Sequence, residues 1–333
     1  MKKVIITLLV LCIGVIVLSL ARFYYYCTIP NPGAVLPVEL EIPPGVSLKQ
    51  AAGILKQHAL LEDPFTFTLL ARLKDAAHSI KSGEYRFERP TAPIDILEKL
   101  RRGEVLTYSM TITEGSTVFD IARVVEAAGF GTAKEVLQRS SDPSFIRALG
   151  MDTVSLEGYL FPDTYRFSKG TGTETVLKTM HARFRQMYDD HVKDRLLTSD
   201  FTRQELLTLA SLVEKETGRQ SEKPIVAAVF LNRLKKRMRL ECDPTVVYGL
   251  LREDPEFRGR LRKKHLQRRT PYNTYRVSGL PPGPICNPGL ESIKAVLEPA
   301  EVQYLYFVSM NNGTHKFSRT YREHNRAVYR YQK

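Results

Sequence analysis

An unbroken apolar run from Val4 to Ala21 follows Lys2 and Lys3 and ends at the aromatic cluster Phe23 to Tyr26. About twenty apolar residues cross the hydrocarbon core of a bilayer. Basic residues stay on the cytoplasmic side, and aromatic rings collect at the interface. The pattern predicts a transmembrane helix within residues 1–27, with its N-terminus inside and the rest of the chain outside. Ser19-Leu20-Ala21 also resembles a signal-peptidase site, so a cleaved signal peptide is the alternative. Both readings carry the body of the chain across the membrane. Pro30, Pro32 and Pro37 make residues 28–38 a stiff spacer.

Beyond the spacer the hydrophobic pattern repeats. Glu41 to Ser47 reads as a strand, a Gly turn and an N-cap before an amphipathic helix, Leu48 to His58. Thr111 to Thr117 reads the same way before Val118 to Ala128. Ala52 and Leu55 then correspond to Ala122 and Val125 on the two apolar faces. A strand at Glu84–Phe87 and a helix at Ile94–Arg101 complete the first β-α unit. Units of this kind often bind glycans, although fold alone does not establish it. Long helices are predicted over 172–193, 203–217 and 221–235. After residue 240 prolines and glycines dominate, and the pattern predicts long loops around a binding cleft. A strand at Tyr304–Ser309, a hairpin partner at His315–Ser318 and a closing helix from Thr320 to Tyr331 follow. The fold class is α+β, in at least two parts.

The net charge is +13. Its densest cluster is Arg258, Arg260, Arg262, Lys263, Lys264, Arg268 and Arg269. A basic patch ordinarily suggests nucleic acid. Outside the membrane the available partners are instead anionic headgroups or a carboxylate-bearing wall polymer, so nucleic acid is set aside. Cys242 and Cys286 either pair in an oxidising compartment or remain buried thiols. There is no CxxC to suggest a zinc or redox site, and the reading includes no metal and no cofactor.

Candidate chemistry lies on the helix through Leu209-Ala210-Ser211-Leu212-Val213-Glu214-Lys215-Glu216-Thr217. Leu206, Leu209, Ala210 and Val213 form its apolar stripe, with Glu214 on the border. Glu216 lies about 200° round the helix from Glu214. On a one-sided helix it faces solvent, where Arg219 offers an ordinary i,i+3 partner. Glu214 has no basic residue at helix spacing, so its carboxyl is expected to hold its proton as a general acid does. Aromatic faces and amides suited to sugars follow: Tyr248, Tyr272 and Tyr275, with Asn232, Asn273 and Asn287.

These motifs resemble the YceG-like (MltG-type) endolytic murein transglycosylases. The resemblance rests on Leu156 to Tyr165, Leu209 to Thr217, Val229 to Leu234, Asp243 to Gly249, Tyr272 to Tyr275 and Gly279 to Ile285. It implies a LysM-like domain at 39–110, a catalytic domain at 111–333, and Glu214 as the acid/base. It also implies a substrate site comprising Asn232, Asp243, Thr245, Tyr248, Tyr272, Asn273, Thr274, Tyr275, Pro282, Gly283 and Asn287. The implied reaction is non-hydrolytic cleavage of the bond between N-acetylmuramic acid and N-acetylglucosamine, leaving 1,6-anhydro ends and limiting strand length. The implied location is the inner membrane, with the catalytic part periplasmic or extracellular. The implied partners are peptidoglycan strands and the penicillin-binding synthases that polymerise them. A two-carboxylate glycosidase needs a second acid across the bond. Asp163 and Asp243 are the candidates, and Asp243 before Pro244 reads first as a turn former. The alternatives are a hydrolytic muramidase using Asp243 as base, and a non-catalytic wall-binding scaffold. Pyridoxal-phosphate chemistry finds neither a phosphate-cradling turn nor a Schiff-base lysine.

Overall fold

The computed structural model describes residues 2–258 and 260–332. The chain divides into two compact units, one of Met1–Tyr108 with Phe167–Gly170 and one of Ser109–Arg166 with Thr171–Lys333.

The first unit begins with helix α1 (Lys2–Thr28), which is long and apolar enough to cross a membrane. Its apolar side chains are exposed as far as Leu20. Only its last turns pack on protein, where Cys27, Phe23 and Tyr26 join the unit's core. Strand β1 (Val38–Ile42), helices α2 (Leu48–Gln57) and α3 (Pro64–Leu73) and strand β2 (Gly83–Phe87) follow, and then helix α4 (Pro93–Arg102). Strands β1 and β2 are antiparallel, with Leu40 opposite Tyr85. The period-2 alternation in β1 buries Val38, Leu40 and Ile42 and exposes the glutamates between them. Ser47 and Gln50 form a reciprocal capping box that starts α2, whose Ala51, Ala52 and Leu55 enter the core.

The second unit repeats that opening. Strand β3 (Thr107–Thr111) leads through Gly115 (φ +76°) to Thr117, which caps α5 (Val118–Ala127) in a box with Asp120. Gly45 holds the same left-handed conformation (φ +78°) before α2. Ala122 and Val125 are buried, as Ala52 and Leu55 are in the first copy. Helices α6 (Ala133–Ser140) and α7 (Pro143–Ala148) lead to β4 (Thr164–Ser168), which pairs with β3. Then come α8 (Thr173–His191), α9 (Lys193–Leu197), α10 (Arg203–Glu216), a 3₁₀ turn (Gln220–Glu222) and α11 (Lys223–Lys235). Residues 243–253, expected as loop, are instead helix α12 (Asp243–Glu253). Asp243 and Pro244 stand in its first turn, where a missing N–H costs nothing and a carboxylate favours the dipole. Short α13 (Lys263–Gln267), α14 (Leu290–Leu297), the antiparallel hairpin β5 (Tyr306–Ser309) and β6 (His315–Ser318), and α15 (Tyr321–Gln332) complete the unit.

α10 is its centre. Thr202 and Glu205 form the capping box that starts it, and every residue from Leu206 to Val213 is buried. It packs against α11, α12 and α14. The loop preceding α14 is secured by Asn287. That amide oxygen accepts the Gly158 and Leu160 N–H groups, both at 2.9 Å, and its nitrogen donates to Ser116 O and Glu157. Cys242 and Cys286 are buried free thiols, and no disulfide joins them.

Glu157 is fully buried, accepting from Val118 N and Asn287. Burial pushes its carboxyl up to about 8, partly offset by the Val118 N–H and the Tyr248 hydroxyl. The folded chain therefore keeps this proton where the unfolded chain has lost it. The stability it supports is present below the ordinary value of 4.5 and is lost as pH rises through about 8. Glu157→Gln, which keeps the amide-compatible geometry without titrating, is expected to flatten the decline in melting temperature between acid and mildly alkaline pH. An unchanged pH dependence of thermal unfolding would count against this account.

Candidate functional site

The all-round burial of α10 decides where its two carboxylates point. Glu214 lies 6% exposed, and its ion-pair partner Lys223 is 2% exposed. Lys223 Nζ stands 3.1 and 3.3 Å from the two oxygens. Gly289 N donates at 2.9 Å and Ser292 Oγ at 2.7 Å. The expectation that Glu214 lacks a cation is thus corrected. The cation comes nine residues later, from the start of α11, after the 3₁₀ turn folds the chain back. Glu214 holds α10, α11 and α14 together with its acceptor sites occupied.

Glu216 is also misplaced by the one-sided reading. It does not pair with Arg219, which donates instead to Gly313 O at 2.7 Å. α10 ends at Glu216, and Thr217 is extended. Beyond that end lies a cavity of about 440 Å³ lined by Glu216, Cys242, Asp243, Tyr275, Arg233, Glu241, Phe307, His315 and His324, among others. Burial raises the Glu216 carboxyl above its ordinary range. The Cys242 thiol hydrogen bond opposes that rise and the charge of Asp243 reinforces it. Among the described residues Glu216 is in no ion pair. Several other groups on the cavity wall are committed, while among the described residues His324 Nδ1 is buried without a hydrogen-bond partner. Arg233 donates to Leu305 O, Arg239 O, Leu240 O and Glu241. His315 bonds Glu222 at 2.7 Å, and Tyr275 Oη donates to Asp243 at 2.7 Å. Burial lowers His324 below the ordinary imidazole value, so it is neutral near pH 7.

Of the substrate residues expected from the sequence, Asp243 and Tyr275 reach this cavity. The others lie elsewhere. The Asn232 amide donates to Val302 O and Tyr304 O. Thr245 and Thr274 are fully buried and bonded to each other at 2.9 Å. Tyr248 packs edge-on against Tyr272 and Phe119, and Tyr272 Oη accepts from Arg252. Asn273 donates to Arg268 O and Leu266 O. Pro282 O accepts from Gln204, and Gly283 lies buried near the Tyr272 hydroxyl. Asn287 is the loop brace already described. Asp163 is tied to Arg183 at 2.8 Å. The basic cluster from Arg258 to Arg269 is exposed at each of its Arg and Lys positions. Among the described residues no group of three His, Cys, Asp or Glu could hold a metal ion.

A cavity with one raised, unpaired carboxyl at the end of a buried helix is the arrangement of an acid/base enzyme. The chain belongs to the YceG-like family, whose model matches residues 40–330. It is 34% identical over 310 residues to a protein named endolytic murein transglycosylase from Bacillus subtilis (strain 168), covering 88% of this chain and 84% of that one. A protein of the same name from Streptococcus pneumoniae (strain ATCC BAA-255 / R6) is 28% identical over 329 residues. That match covers 87% of this chain but 58% of the streptococcal one. A crystal structure of a protein described as YceG-like from Listeria monocytogenes superposes with a TM-score of 0.61 at 30% identity, over 87% of this chain and 98% of that one.

Removing one partner of a buried ion pair strands the other charge, at a cost of about 3–5 kcal/mol. Lys223→Met is expected to destabilise the fold by that order in chemical denaturation. Adding Glu214→Gln to it should recover part of the loss. A single-variant cost below about 1 kcal/mol, the range of an exposed pair, would remove the clamp role.

Proposed function

We propose that this chain is an endolytic lytic transglycosylase of peptidoglycan in which Glu216 is the acid/base. The observation that carries the assignment within the site is the pairing of Glu214 with Lys223, which leaves Glu216 as the raised, cavity-facing carboxyl. The protonated Glu216 donates to the glycosidic oxygen as the bond from the anomeric carbon of N-acetylmuramic acid breaks. The resulting carboxylate then takes the proton from the C6 hydroxyl of the same sugar as its oxygen bonds to the anomeric carbon. The proton returns to Glu216, no water is consumed, and the new end is a 1,6-anhydro sugar. One carboxyl serves both steps. That Asp243 and Tyr275 line the same cavity supports a role for them in holding the sugar. Asp243 also keeps open a hydrolytic reading, because a second carboxylate on the same wall could activate water. The β-α-α-β core of the first unit supports a LysM-like glycan-holding role. Anchoring beside the membrane would bring the enzyme to strands as the penicillin-binding synthases extrude them.

Loss of general acid–base catalysis costs about 10²–10⁴ in rate. Glu216→Gln is expected to lose at least that much when digested sacculi are analysed by mass spectrometry, with its melting temperature little changed. Glu214→Gln should chiefly lower the melting temperature. Full activity in Glu216→Gln would end the assignment. Oxygen from labelled water appearing in the new ends would favour hydrolysis.

The anchor reading gives α1 a cytoplasmic N-terminus, from Lys2 and Lys3 before the apolar run. A periplasm-active reporter fused to the C-terminus is expected to work and a cytoplasm-only reporter to stay silent; the reverse pattern rejects this topology.

A further inference from the structure

α15 serves two surroundings at once. At about 100° per residue, His324, Val328 and Gln332 share one stripe of the helix. They line the Glu216 cavity. The adjoining stripe is Tyr321, Asn325 and Tyr329, with Arg322 and Arg326 beside it. These five line a separate, shallow surface depression of about 630 Å³. Tyr321 is 64% exposed and Tyr329 70%, the two most exposed tyrosines described in the second unit.

The two places are physically continuous. The Tyr321 ring lies 5.9 Å from Tyr306, and Tyr306 stacks on His324 at 5.2 Å. Arg233, on the cavity wall, sits 5.1 Å over the same Tyr306 ring. A run of rings therefore leads from the cavity wall to the outer stripe. The charge there is uncompensated among the described residues. Glu323, the acidic residue on the helix's first turn, is held by Arg319 N and Thr320 N. Among the described residues neither Arg322 nor Arg326 is in an ion pair.

We propose that this stripe is a distal subsite for the same polysaccharide strand whose scissile bond lies beside Glu216. The ring face of Tyr321 takes the apolar face of a sugar, and the Asn325 amide takes hydroxyl or acetamido groups. Arg322 and Arg326 take carboxylates carried on the strand. The exposed Tyr321 ring, the amide and two guanidiniums that are in no ion pair among the described residues suit a carbohydrate bearing carboxylates, and continuity with the cavity names the strand as occupant. The proposal rests on the transglycosylase reading of the cavity.

The test measures binding in the full-length, detergent-solubilised chain carrying Glu216→Gln, so that no strand is cut. The probes are long soluble glycan strands with stem peptides and a fragment short enough to fill only the cavity. Tyr321→Ala with Arg326→Ala is expected to lower the long-to-short affinity ratio about tenfold, the change that 1.4 kcal/mol produces. Arg322→Gln with Arg326→Gln should lower it for strands with stem peptides and leave it unaltered for strands stripped of them. An unaltered ratio in both double variants, with circular dichroism matching the parent, overturns the subsite. So does loss of binding to phosphatidylglycerol vesicles in the arginine variant without any change on long strands, which makes the stripe a membrane contact. Absence of anhydro ends with the Glu216-intact chain would defeat the catalytic reading alone, since the affinity ratio does not depend on cutting.

Discussion

A helix buried on every side carries the carboxylates at its end toward the protein interior. α10 is such a helix from Leu206 to Val213, and two carboxylates follow that stretch. Desolvating a carboxylate is costly unless it is paired or gives up its charge. The structure uses both remedies, two residues apart. Glu214 receives Lys223, a backbone N–H and a hydroxyl. Glu216 receives a thiol and a cavity, and it holds its proton more tightly. The first arrangement contributes cohesion among three helices. The second leaves a carboxyl raised above its ordinary range beside a cavity, the kind of group that can give and retake a proton.

Several polar groups around Glu216 are held by bonds of their own. Arg233 is fixed by three carbonyls and a carboxylate, His315 by Glu222, and Asp243 by Tyr275. A site whose walls are fixed by bonds of their own needs little rearrangement when charge shifts during reaction. The loops contribute similarly. Asn287 braces the turn at 157–160 against the start of α5, so the residues before α14 keep their place without secondary structure of their own.

Much of the fold was legible in the sequence. Capping boxes at Ser47, Thr117 and Thr202, the alternation in β1 and the closing hairpin all follow from local chemistry that the chain carries openly. The site was less legible, for two physical reasons. Periodicity located a stripe on α10 but not the second buried face. The clue was the run Leu206 to Val213, in which only the small polar residues Thr208 and Ser211 interrupt the apolar side chains; a helix apolar all round is a buried helix. The second reason is that residue type does not distinguish an amide that binds a sugar from one that binds a loop. Asn232 and Asn273 spend their amides on backbone groups, Asn287 spends its amide on backbone groups and the Glu157 carboxyl, and Tyr248 spends its ring on core packing. Nor does helix spacing reveal a lysine that returns after a turn, as Lys223 does.

The two copies of the strand–glycine–helix opening differ in what their turns touch. Around Gly45 there is open space. Gly115 lies 3.6 Å, at the position of an added Cβ, from both Glu214 and Lys215, and its carbonyl accepts from Lys215 Nζ at 3.2 Å. Its N–H in turn donates to Asn287 O at 3.0 Å. The turn of the first copy therefore has room around it, and only its left-handed backbone restricts it. In the second copy a longer or bulkier turn meets the Glu214 and Lys215 side chains and disturbs the bond to Asn287 O before α14.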